Sequence, residues 1–249
     1  MPLLSIITVT YNAERFLERT LRSLIANRPG AEVEYLIVDG NSTDRTKEII
    51  RQNEAVVAHW LSEPDRGLYD AMNKGLHLAT GEYVWFLNAG DEIHDGQVID
   101  RLLGQMKANP ADIYYSDALY VDETGRALGL RSELTPHSLP RHLTWQDMAM
   151  GMKVCHQAFI ARRSIAPDYP ADNLSADVDW EIRCLKASRH TLWLDFILCK
   201  YLTGGLSVQR HRESLADRFK VLRAHFGLVP TLWNHLRIVA RAVRFRLNS

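Results

Sequence analysis

Polar and charged side chains follow four short apolar runs within the first hundred residues. They are Thr10, Asn12 and Glu14 after the first run, Asp39, Asn41 and Asp44 after the second, Glu63, Asp65 and Arg66 after the third, and Asn88 and Asp91 after the fourth. A carboxylate such as that of Asp39 can accept hydrogen bonds from a ribose or a base edge, and the Arg66 and Lys74 cations can meet phosphate. Each group also has a structural interpretation, since a turn aspartate can cap the next helix and charge runs usually form a solvated face.

The fourth run, FLNAGDEI (Phe86–Ile93), ends in an amide, a glycine and a carboxylate. A turn explains that ending, and so does a metal-phosphate site that lacks one expected carboxylate. No GxGxxG follows the first run, so a dinucleotide fold of the usual type is not supported. The absence of GxSxG, P-loop and HExxH patterns argues against an esterase, a P-loop NTPase and a histidine-based metal cluster.

The four runs alternate with segments of helical periodicity. The predicted strands cover residues 4–10, 33–39, 56–63 and 82–88, and the predicted helices begin near residues 13, 42 and 68. This alternation is typical of an α/β fold with a mostly parallel sheet flanked by helices. Because ligands of such sheets bind beyond the carboxyl ends of the strands, we expect the polar groups to meet at one rim.

The second half of the chain has a less regular pattern. Residues 112–129 predict a β-hairpin that turns at Glu123–Gly125, and residues 155–165 predict a short strand. Ser175 is the predicted N-cap of an amphipathic helix, and the apolar run Thr191–Gly205 predicts one strand. We divide the chain into a catalytic domain, residues 1–209, and a tail, residues 210–249. The domain comprises halves of about 1–100 and 101–209.

Composition sets further bounds. The 249 residues carry 30 basic and 30 acidic side chains, so no overall charge favours nucleic acid. Cys155, Cys184 and Cys199 are widely spaced and predict reduced thiols in a cytoplasmic protein. We see no signal peptide, and no run of about 18 apolar residues that would span a bilayer.

The neutral total hides a basic C-terminal tail. Residues 210–249 contain nine Lys or Arg against two acids, a net charge of +7. One helical stripe carries five apolar residues: Leu232, Leu236, Val239, Val243 and Leu247. This amphipathic helical tail predicts a peripheral helix on an anionic membrane surface, at the inner face of the cytoplasmic membrane. A helix that packs on the domain, or on a second copy, is the alternative.

Three segments together resemble a known family. They read SIITVTYNAERFLERTLRSL, YLIVDGNSTDRT and DRGLYDAMNKGLHLATGEYVWFLNAGDE. They are similar to the nucleotide-binding half of the inverting family-2 glycosyltransferases, which have the GT-A fold. The resemblance is strong over residues 3–100 and weaker over 150–210. The LNAGD phrase resembles a branch associated with bacterial surface-polysaccharide assembly.

The resemblance implies a site, residue by residue. The positions it assigns to the nucleotide-sugar are Thr10, Asn12 and Glu14 along the pocket, Asp39 at the base, Asp70 and Lys74 near the sugar and phosphates, and Asn88 and Gly90 at the diphosphate. Asp91 is the carboxylate that remains in a depleted acidic segment for Mg²⁺ or Mn²⁺. His211, which ends a loop that would close over the diphosphate, is a further candidate ligand. His156 and Gln157 would bind hydroxyls of the acceptor.

The same resemblance places the catalytic base in SADVDWEIR. Asp177 matches the acid of the family's ED pair, and Ala176 stands where the glutamate is expected. Asp179 is the rival, and two residues on one helix point roughly 200° apart, so only one can face the donor. Either acid could instead stabilise the N-terminal end of the helix.

The leading hypothesis is therefore an inverting glycosyltransferase. It would move a sugar from a nucleotide-diphospho-sugar to a hydroxyl of a lipid-linked acceptor or growing bacterial surface glycan. A catalytically weak or inactive sugar-nucleotide-binding protein is the alternative, because the acidic segment is depleted. A sugar nucleotidyltransferase is less favoured, because TYNAERF lacks a glycine-rich phosphate loop.

Overall fold

The structure, a computed structural model, describes residues 1–28, 30–205 and 210–248, and excludes the side chains of residues 239 and 242–248. The strands are β1 (Leu4–Thr10), β2 (Val33–Asp39), β3 (His59–Ser62), β4 (Tyr83–Phe86), β5 (Glu92–Ile93), β6 (Ile113–Tyr115), β7 (Ala118–Val121), β8 (Ala127–Leu130), β9 (Phe159–Arg162), β10 (Thr191–Trp193) and β11 (Cys199–Leu202). The helices are α1 (Leu17–Ala26), α2 (Thr46–Gln52), α3 (Leu68–Leu78), α4 (Val98–Ala108), α5 (Arg131–Leu134), α6 (Ala176–Ala187), α7 (His211–Phe226) and α8 (Leu228–Asn248). Short 3₁₀ helices cover Trp145–Met150, His156–Ala158 and Arg163–Ile165.

A seven-stranded sheet in the order β10-β6-β9-β4-β1-β2-β3 forms the centre of the fold. β9 runs antiparallel to its neighbours β4 and β6, whereas the other paired strands are parallel. The predicted α/β fold with a mostly parallel sheet is confirmed. Thr10 lies beside Asp39, and Asp39 lies beside Ser62, so the carboxyl ends of β1, β2 and β3 meet at one rim. The chain after β4 reaches the same rim, since Ala89 N donates to Val9 O at 3.3 Å.

The core lies between this sheet and the helices that cover it. All of β1 and β4 is buried, which explains their continuous apolar character. On α1 the buried leucines Leu17, Leu21 and Leu24 recur at spacings of four and three, so one face of the helix packs inward. The three cysteines are free and buried, as predicted for reduced thiols.

A second sheet, in the order β5-β11-β7-β8, carries the less regular half of the chain. The predicted hairpin is confirmed as β7–β8, with Gly125 at φ 87° in its turn. The predicted single strand over Thr191–Gly205 is wrong, because β10 joins the central sheet and β11 joins the small one. Leu194 N bonds to Tyr115 O and Leu198 N to Ser116 Oγ, so the apolar chain between them crosses from one sheet to the other.

The first helix of the basic tail packs on the body. Trp145 and Phe226 stack with ring centroids 5.3 Å apart. Ser175 does not cap α6 through its side chain, contrary to the prediction, because its hydroxyl donates to Ser214 O on α7 at 3.0 Å. Leu174 N donates to Asp217 Oδ2 at 3.0 Å, a second bond between this loop and α7. Among the described helices, none is long and apolar enough to cross a membrane.

Candidate active site

The loops after β1 and β2 are hydrogen bonded to each other at the rim. Asn12 N donates to Ser42 Oγ at 2.8 Å, and Thr43 N donates to Asn12 Oδ1 at 2.9 Å. Glu14 accepts a bond from Arg45 N at 3.0 Å. Asn12 adopts a left-handed φ of 46°, which asparagine tolerates better than most residues. Asn12 and Glu14 therefore hold the two loops in a fixed relation.

Asp39 is fully buried at the end of β2. Its Oδ2 accepts bonds from Ser42 N at 3.0 Å and Ser62 Oγ at 2.6 Å, and its Oδ1 accepts a bond from Ser42 Oγ. Both carboxylate oxygens are thus occupied by the loop that follows β2 and by β3. This placement favours the loop-organising interpretation that the sequence left open beside nucleobase binding.

The charged pair predicted near the sugar and phosphates is held by its own neighbours. Asp70 accepts bonds from Arg66 N at 3.1 Å and Arg66 Nη2 at 3.0 Å, which lower the pKa of its carboxyl. Lys74 Nζ lies 2.8 Å from a carboxylate oxygen of Glu63 and 2.8 Å from Pro64 O. These bonds link α3 to the segment that follows β3.

The Asn88–Asp91 segment is anchored from two sides. Gly90 has φ 105°, and a side chain there would place Cβ 2.6 Å from a methyl group of Leu202, so glycine is required. Gly90 N donates to Thr20 Oγ1 at 2.9 Å. Asp91 Oδ1 accepts a bond from Leu202 N at 2.9 Å, and burial raises the pKa of this carboxyl to about 7.

Two buried oxygen atoms at this rim have no hydrogen-bond partner: Thr10 Oγ1 and Asn88 Oδ1. Asp91 Oδ1 accepts the bond from Leu202 N, and a backbone hydrogen bond from Asn88 also opposes the burial that raises the pKa of this carboxyl. Mg²⁺ and Mn²⁺ prefer oxygen ligands, so Asp91 and Asn88 fit a cation whose other ligands come from diphosphate and water. Within the described ranges no group of three or more His, Cys, Asp or Glu could hold a metal by itself.

His211 is the exposed first residue of α7 and makes no hydrogen bond to the described residues. Residues 206–209 of the predicted closing loop lie outside the described part of the chain. The role of His211 at metal or phosphate therefore stays a prediction.

The two acids at the start of α6 have different surroundings. Asp179 lies 2.7 Å from Arg183 Nε and 2.7 Å from His225 Nε2, and its hydrogen bond with His225 and the charge of Arg183 lower the pKa of its carboxyl. Asp177 forms no ion pair with any described residue and lies close to Tyr69, whose pKa its charge helps to raise. A surface hollow of about 560 Å³ is lined by Asp179 and Arg183, and Asp177 is not among its lining residues.

His156 and Gln157, predicted on the acceptor side, are buried. His156 Nε2 bonds to the Tyr169 hydroxyl at 3.0 Å, and the ring stacks on Phe86. Burial lowers the pKa of His156 to about 4, so the ring is neutral at pH 7. Gln157 Oε1 accepts a bond from Cys155 Sγ at 3.2 Å. Both side chains occupy core positions, and contact with acceptor stays a prediction.

Glu181 lies beneath this group, one helical turn after Asp177. It has no solvent exposure, and neither carboxylate oxygen has a hydrogen-bond partner. Its Oε1 lies 3.6 Å from His156 Nδ1. Burial raises the pKa of Glu181 well above its usual range while it lowers that of His156, so the pair is neutral rather than ionic.

The family model for glycosyl transferase family 2 matches residues 5–169, which is more than half of the chain. The chain belongs to glycosyltransferase family 2. A putative teichuronic acid biosynthesis glycosyltransferase, TuaG of Bacillus subtilis, is 37% identical and covers 99% of this chain and 98% of its own length. A PGL/p-HBAD biosynthesis glycosyltransferase of Mycobacterium bovis is 31% identical over 83% of this chain and 79% of its own length.

Solved structures of other glycosyltransferases share the fold. S. aureus TarS 1–349 in complex with UDP-GlcNAc has a TM-score of 0.73 at 20% identity and covers 90% of this chain. This chain spans 65% of the TarS chain. The mannosyltransferase PcManGT of Pyrobaculum calidifontis, in complex with GDP-Man and Mn²⁺, has a TM-score of 0.65 at 16% identity and covers 96% of this chain and 74% of its own. The GT-A fold expected for this family-2 glycosyltransferase is thereby confirmed.

Two residues of this family-2 rim were missed by the sequence reasoning. Tyr11, directly after β1, exposes 64% of its surface. Gly40 lies so close to Asp65 that an added Cβ would be 2.4 Å from Asp65 Oδ2 and 3.3 Å from Tyr11 Cδ2. An aromatic residue inside the polar stretch TYN was the available signal for Tyr11. The sequence gave no indication that Glu181 is buried, because a helical glutamate in a mixed sequence usually faces solvent.

Proposed function

We propose that the protein transfers a sugar, with inversion, from a nucleotide-diphospho-sugar to a hydroxyl group of a bacterial surface glycan. The observation that carries the proposal is the contrast between the two acids of α6. Asp177 is clear of ion pairs among the described residues, whereas Asp179 is bound to Arg183 and His225. Asp177 Oδ1 accepts a bond from Val178 N at 2.9 Å, but no described cation pairs with this carboxylate, so Asp177 has the role of general base.

In the proposed reaction the acceptor oxygen attacks the anomeric carbon from the face opposite the diphosphate. The new carbon–oxygen bond forms as the bond to the diphosphate breaks, and that electron pair leaves with the nucleoside diphosphate. The proton of the acceptor hydroxyl goes to Asp177. A bound Mg²⁺ or Mn²⁺, with Asp91 and Asn88 as its protein ligands, would offset the negative charge that develops on the departing diphosphate.

The donor binds at the rim where β1, β2, β3 and the Asn88–Asp91 segment meet. Tyr11 offers an exposed ring on which a nucleobase can stack, beside the close approach of Gly40 to Asp65. The two structural neighbours in complex with UDP-GlcNAc and GDP-Man support a nucleotide-sugar as donor.

The acceptor belongs to a lipid-linked or growing surface polysaccharide. Relatives named for teichuronic acid biosynthesis and for PGL/p-HBAD biosynthesis support this class. A lipid-linked acceptor would bring the enzyme to an anionic membrane surface. The first half of α8 fits that surface, because one face exposes five large apolar residues: Leu228, Val229, Leu232, Trp233 and Leu236. The net +7 of residues 210–249 adds attraction to anionic lipid.

A screen of nucleotide-sugars by thermal shift, with and without Mn²⁺, tests the donor assignment. A donor that binds the folded protein raises the unfolding temperature by mass action. We expect at least one donor to stabilise the protein, more strongly with Mn²⁺, and Asp91→Asn to lose the Mn²⁺-dependent part. Release of nucleoside diphosphate by the wild type at a rate no higher than those of both Asp177→Asn and Asp179→Asn would instead establish the inactive binding protein.

Flotation with phosphatidylglycerol vesicles tests the membrane assignment. Leu232→Ser with Leu236→Ser removes apolar contact from α8, and we expect this double variant to stay with the pellet while the wild type floats. Leu78→Ser, at a residue that is 38% exposed on α3, is the matched control and should float. Equal flotation of the wild type and the double variant would show that the protein does not bind membranes through this face of α8.

A further inference from the structure

Five basic side chains from separate parts of the chain converge where the segment after β8 meets the two C-terminal helices. This cluster, the basic junction, consists of Arg131, His137, Lys153, Arg218 and Arg241. Arg241 Nη2 lies 3.3 Å from His137 Nδ1. Burial and the charges of the other four members lower the pKa of His137 to about 3, so His137 is neutral and four positive charges remain.

No ion pair with a described acid neutralises those four charges. Asp147 acts on Lys153 from a distance, but its carboxylate Oδ2 accepts bonds from Thr144 N at 2.8 Å and Thr144 Oγ1 at 2.7 Å. Repulsion among like charges that act on one another is unfavourable unless an anion binds. Among the residues that the structure describes, the four positive charges of the basic junction are therefore offset only in part, by Asp147 acting on Lys153.

Two members of the junction are anchored by backbone carbonyl groups. Arg131, which is 6% exposed, donates to Lys153 O and Met152 O at 2.6 Å each. Arg241 Nη2 donates to Met150 O at 3.1 Å. These bonds fix the two guanidinium groups in place and hold the Met150–Lys153 backbone between α5 and α8.

Two members and two further donor atoms have no partner among the described residues. Lys153 and Arg218 make no side-chain hydrogen bond or ion pair with the described residues, and the Nε atoms of Arg218 and Arg241 are buried without an acceptor. Buried charged donors that lack acceptors are costly, and phosphate oxygens are the acceptors that match several guanidinium and ammonium groups at once.

The junction adjoins the acceptor half of the proposed site. Burial raises the pKa of Tyr120, and the nearby charge of Arg131 opposes this rise. The rings of Tyr120 and Tyr201 have centroids 5.0 Å apart. Tyr201 precedes Leu202, whose backbone nitrogen holds Asp91. We propose that the basic junction binds a phosphate or diphosphate group carried by the acceptor. This assignment rests on the proposed transferase function and names the chemical class of its acceptor.

Titration of the full chain with inorganic pyrophosphate tests the site. Lys153→Met and Arg218→Gln remove charge without breaking any described hydrogen bond, and we expect each to bind pyrophosphate about tenfold more weakly than the wild type. Arg223→Gln removes a charge from an exposed position of α7 and should bind as the wild type does. Wild-type affinity should fall steeply with added NaCl.

Nucleoside diphosphate binding separates this site from the donor rim. We expect Lys153→Met and Arg218→Gln to bind the nucleoside diphosphate of the active donor as tightly as the wild type. If both variants bind pyrophosphate like the wild type, the basic junction is not an anion site and the proposal is wrong. If no nucleotide-sugar binds the wild type while the two variants still lose pyrophosphate, the transferase proposal fails and the anion site remains.

Phosphatidylglycerol vesicles distinguish an acceptor phosphate from a lipid headgroup. A site for the acceptor predicts that Lys153→Met and Arg218→Gln float with the vesicles as the wild type does. Loss of flotation by both, together with weaker pyrophosphate binding, would assign the junction to membrane headgroups and overturn the acceptor assignment.

Discussion

The donor rim and the acceptor half treat their polar groups in opposite ways. At the rim, Asp39 accepts three hydrogen bonds, and Asn12 and Glu14 bond to the neighbouring loop. Beneath Asp177, the buried Glu181 carboxyl has no hydrogen-bond partner, and His156 Nδ1 has none either. The loops after β1 and β2 are held by polar groups that already have partners, whereas burial keeps the groups beneath Asp177 neutral.

This difference suits the rim for positioning the donor and the acceptor half for the proposed proton transfer. A rim whose loops are fixed before the donor arrives loses little conformational freedom on binding, which is the benefit of preorganisation. The layer under Asp177, the proposed base, consists of the neutral pair Glu181 and His156 and of buried aromatic rings. Electrostatic interactions are stronger in such a low-dielectric surrounding.

The largest effect on activity should come from replacing Asp177, the first of the two α6 acids. Asp177→Asn removes the base, and we expect kcat to fall by about 10²–10⁴-fold, the usual contribution of general base catalysis. Asp179→Asn loses ion pairs with Arg183 and His225, so it should lower the unfolding temperature while kcat stays within about threefold of wild type. Steady-state kinetics and thermal unfolding of both variants check this. A larger loss of kcat for Asp179→Asn would make Asp179 the base.

Gly40→Ala should weaken donor binding at the rim. The new Cβ would lie 2.4 Å from Asp65 Oδ2 and force it and the Tyr11 ring to move. We expect the dissociation constant of the donor to rise at least about tenfold, with kcat at saturation less affected. Gly104→Ala is the control, since nothing lies within 4 Å of its Cβ and a helical alanine should add about 1 kcal/mol of stability. Unchanged donor affinity in Gly40→Ala would show that the nucleotide does not bind at this rim.

Glu181→Gln tests the neutral layer through the pH dependence of stability. The folded pKa of Glu181 lies above its unfolded value, so stability is fully present below about pH 4.5 and is lost as pH rises toward the folded pKa. Glutamine cannot ionise, so at pH 8 the variant should be more stable than the wild type, with a higher unfolding temperature, and the difference should vanish at pH 4.

The variant should keep a smaller loss of stability between pH 4 and 7, because Asp91 has a pKa raised to about 7 by burial. Glu48→Gln at an exposed position of α2 should leave the pH profile unchanged. A Glu181→Gln protein that is less stable than wild type at pH 8 would mean that Glu181 is ionised and paired in solution.

The smallest effect should come from Ser62→Ala, which removes one of three bonds to Asp39. Loss of one hydrogen bond to a charged group should cost about 1–2 kcal/mol, seen as a decrease of a few degrees in unfolding temperature. Ser138→Ala, at an exposed loop position, should have no effect. No change in Ser62→Ala would show that the two bonds from Ser42 are enough to hold Asp39.

Much of the donor half was predictable because its signals are local. Each of β1, β2 and β4 is a short apolar run followed by polar residues, and the helices between them show the 3.6-residue period. The rim follows from these patterns, because carboxyl ends of parallel strands meet at one edge.

The rest depends on contacts between distant parts of the chain. The run Thr191–Gly205 contains no glycine or proline before Gly204 to mark the change of sheet, so one strand was predicted where β10 and β11 lie. The spacing of Asp177 and Asp179 predicted that their side chains point in opposite directions around the helix. It did not predict which of the two acids forms an ion pair. His225, 46 residues away on α7, distinguishes them.

The bond from Leu202 to Asp91 also has a consequence for the order of folding. It joins residues 111 positions apart, whereas β1 to β4 assemble from neighbouring strand–helix units. During synthesis, which adds about 5–20 residues per second, the donor rim emerges seconds before β11 does. A nascent chain therefore can hold a rim before the Asn88–Asp91 segment is anchored. Anchoring of Asp91 must wait for β11, because the bond from Leu202 closes a loop of 111 residues.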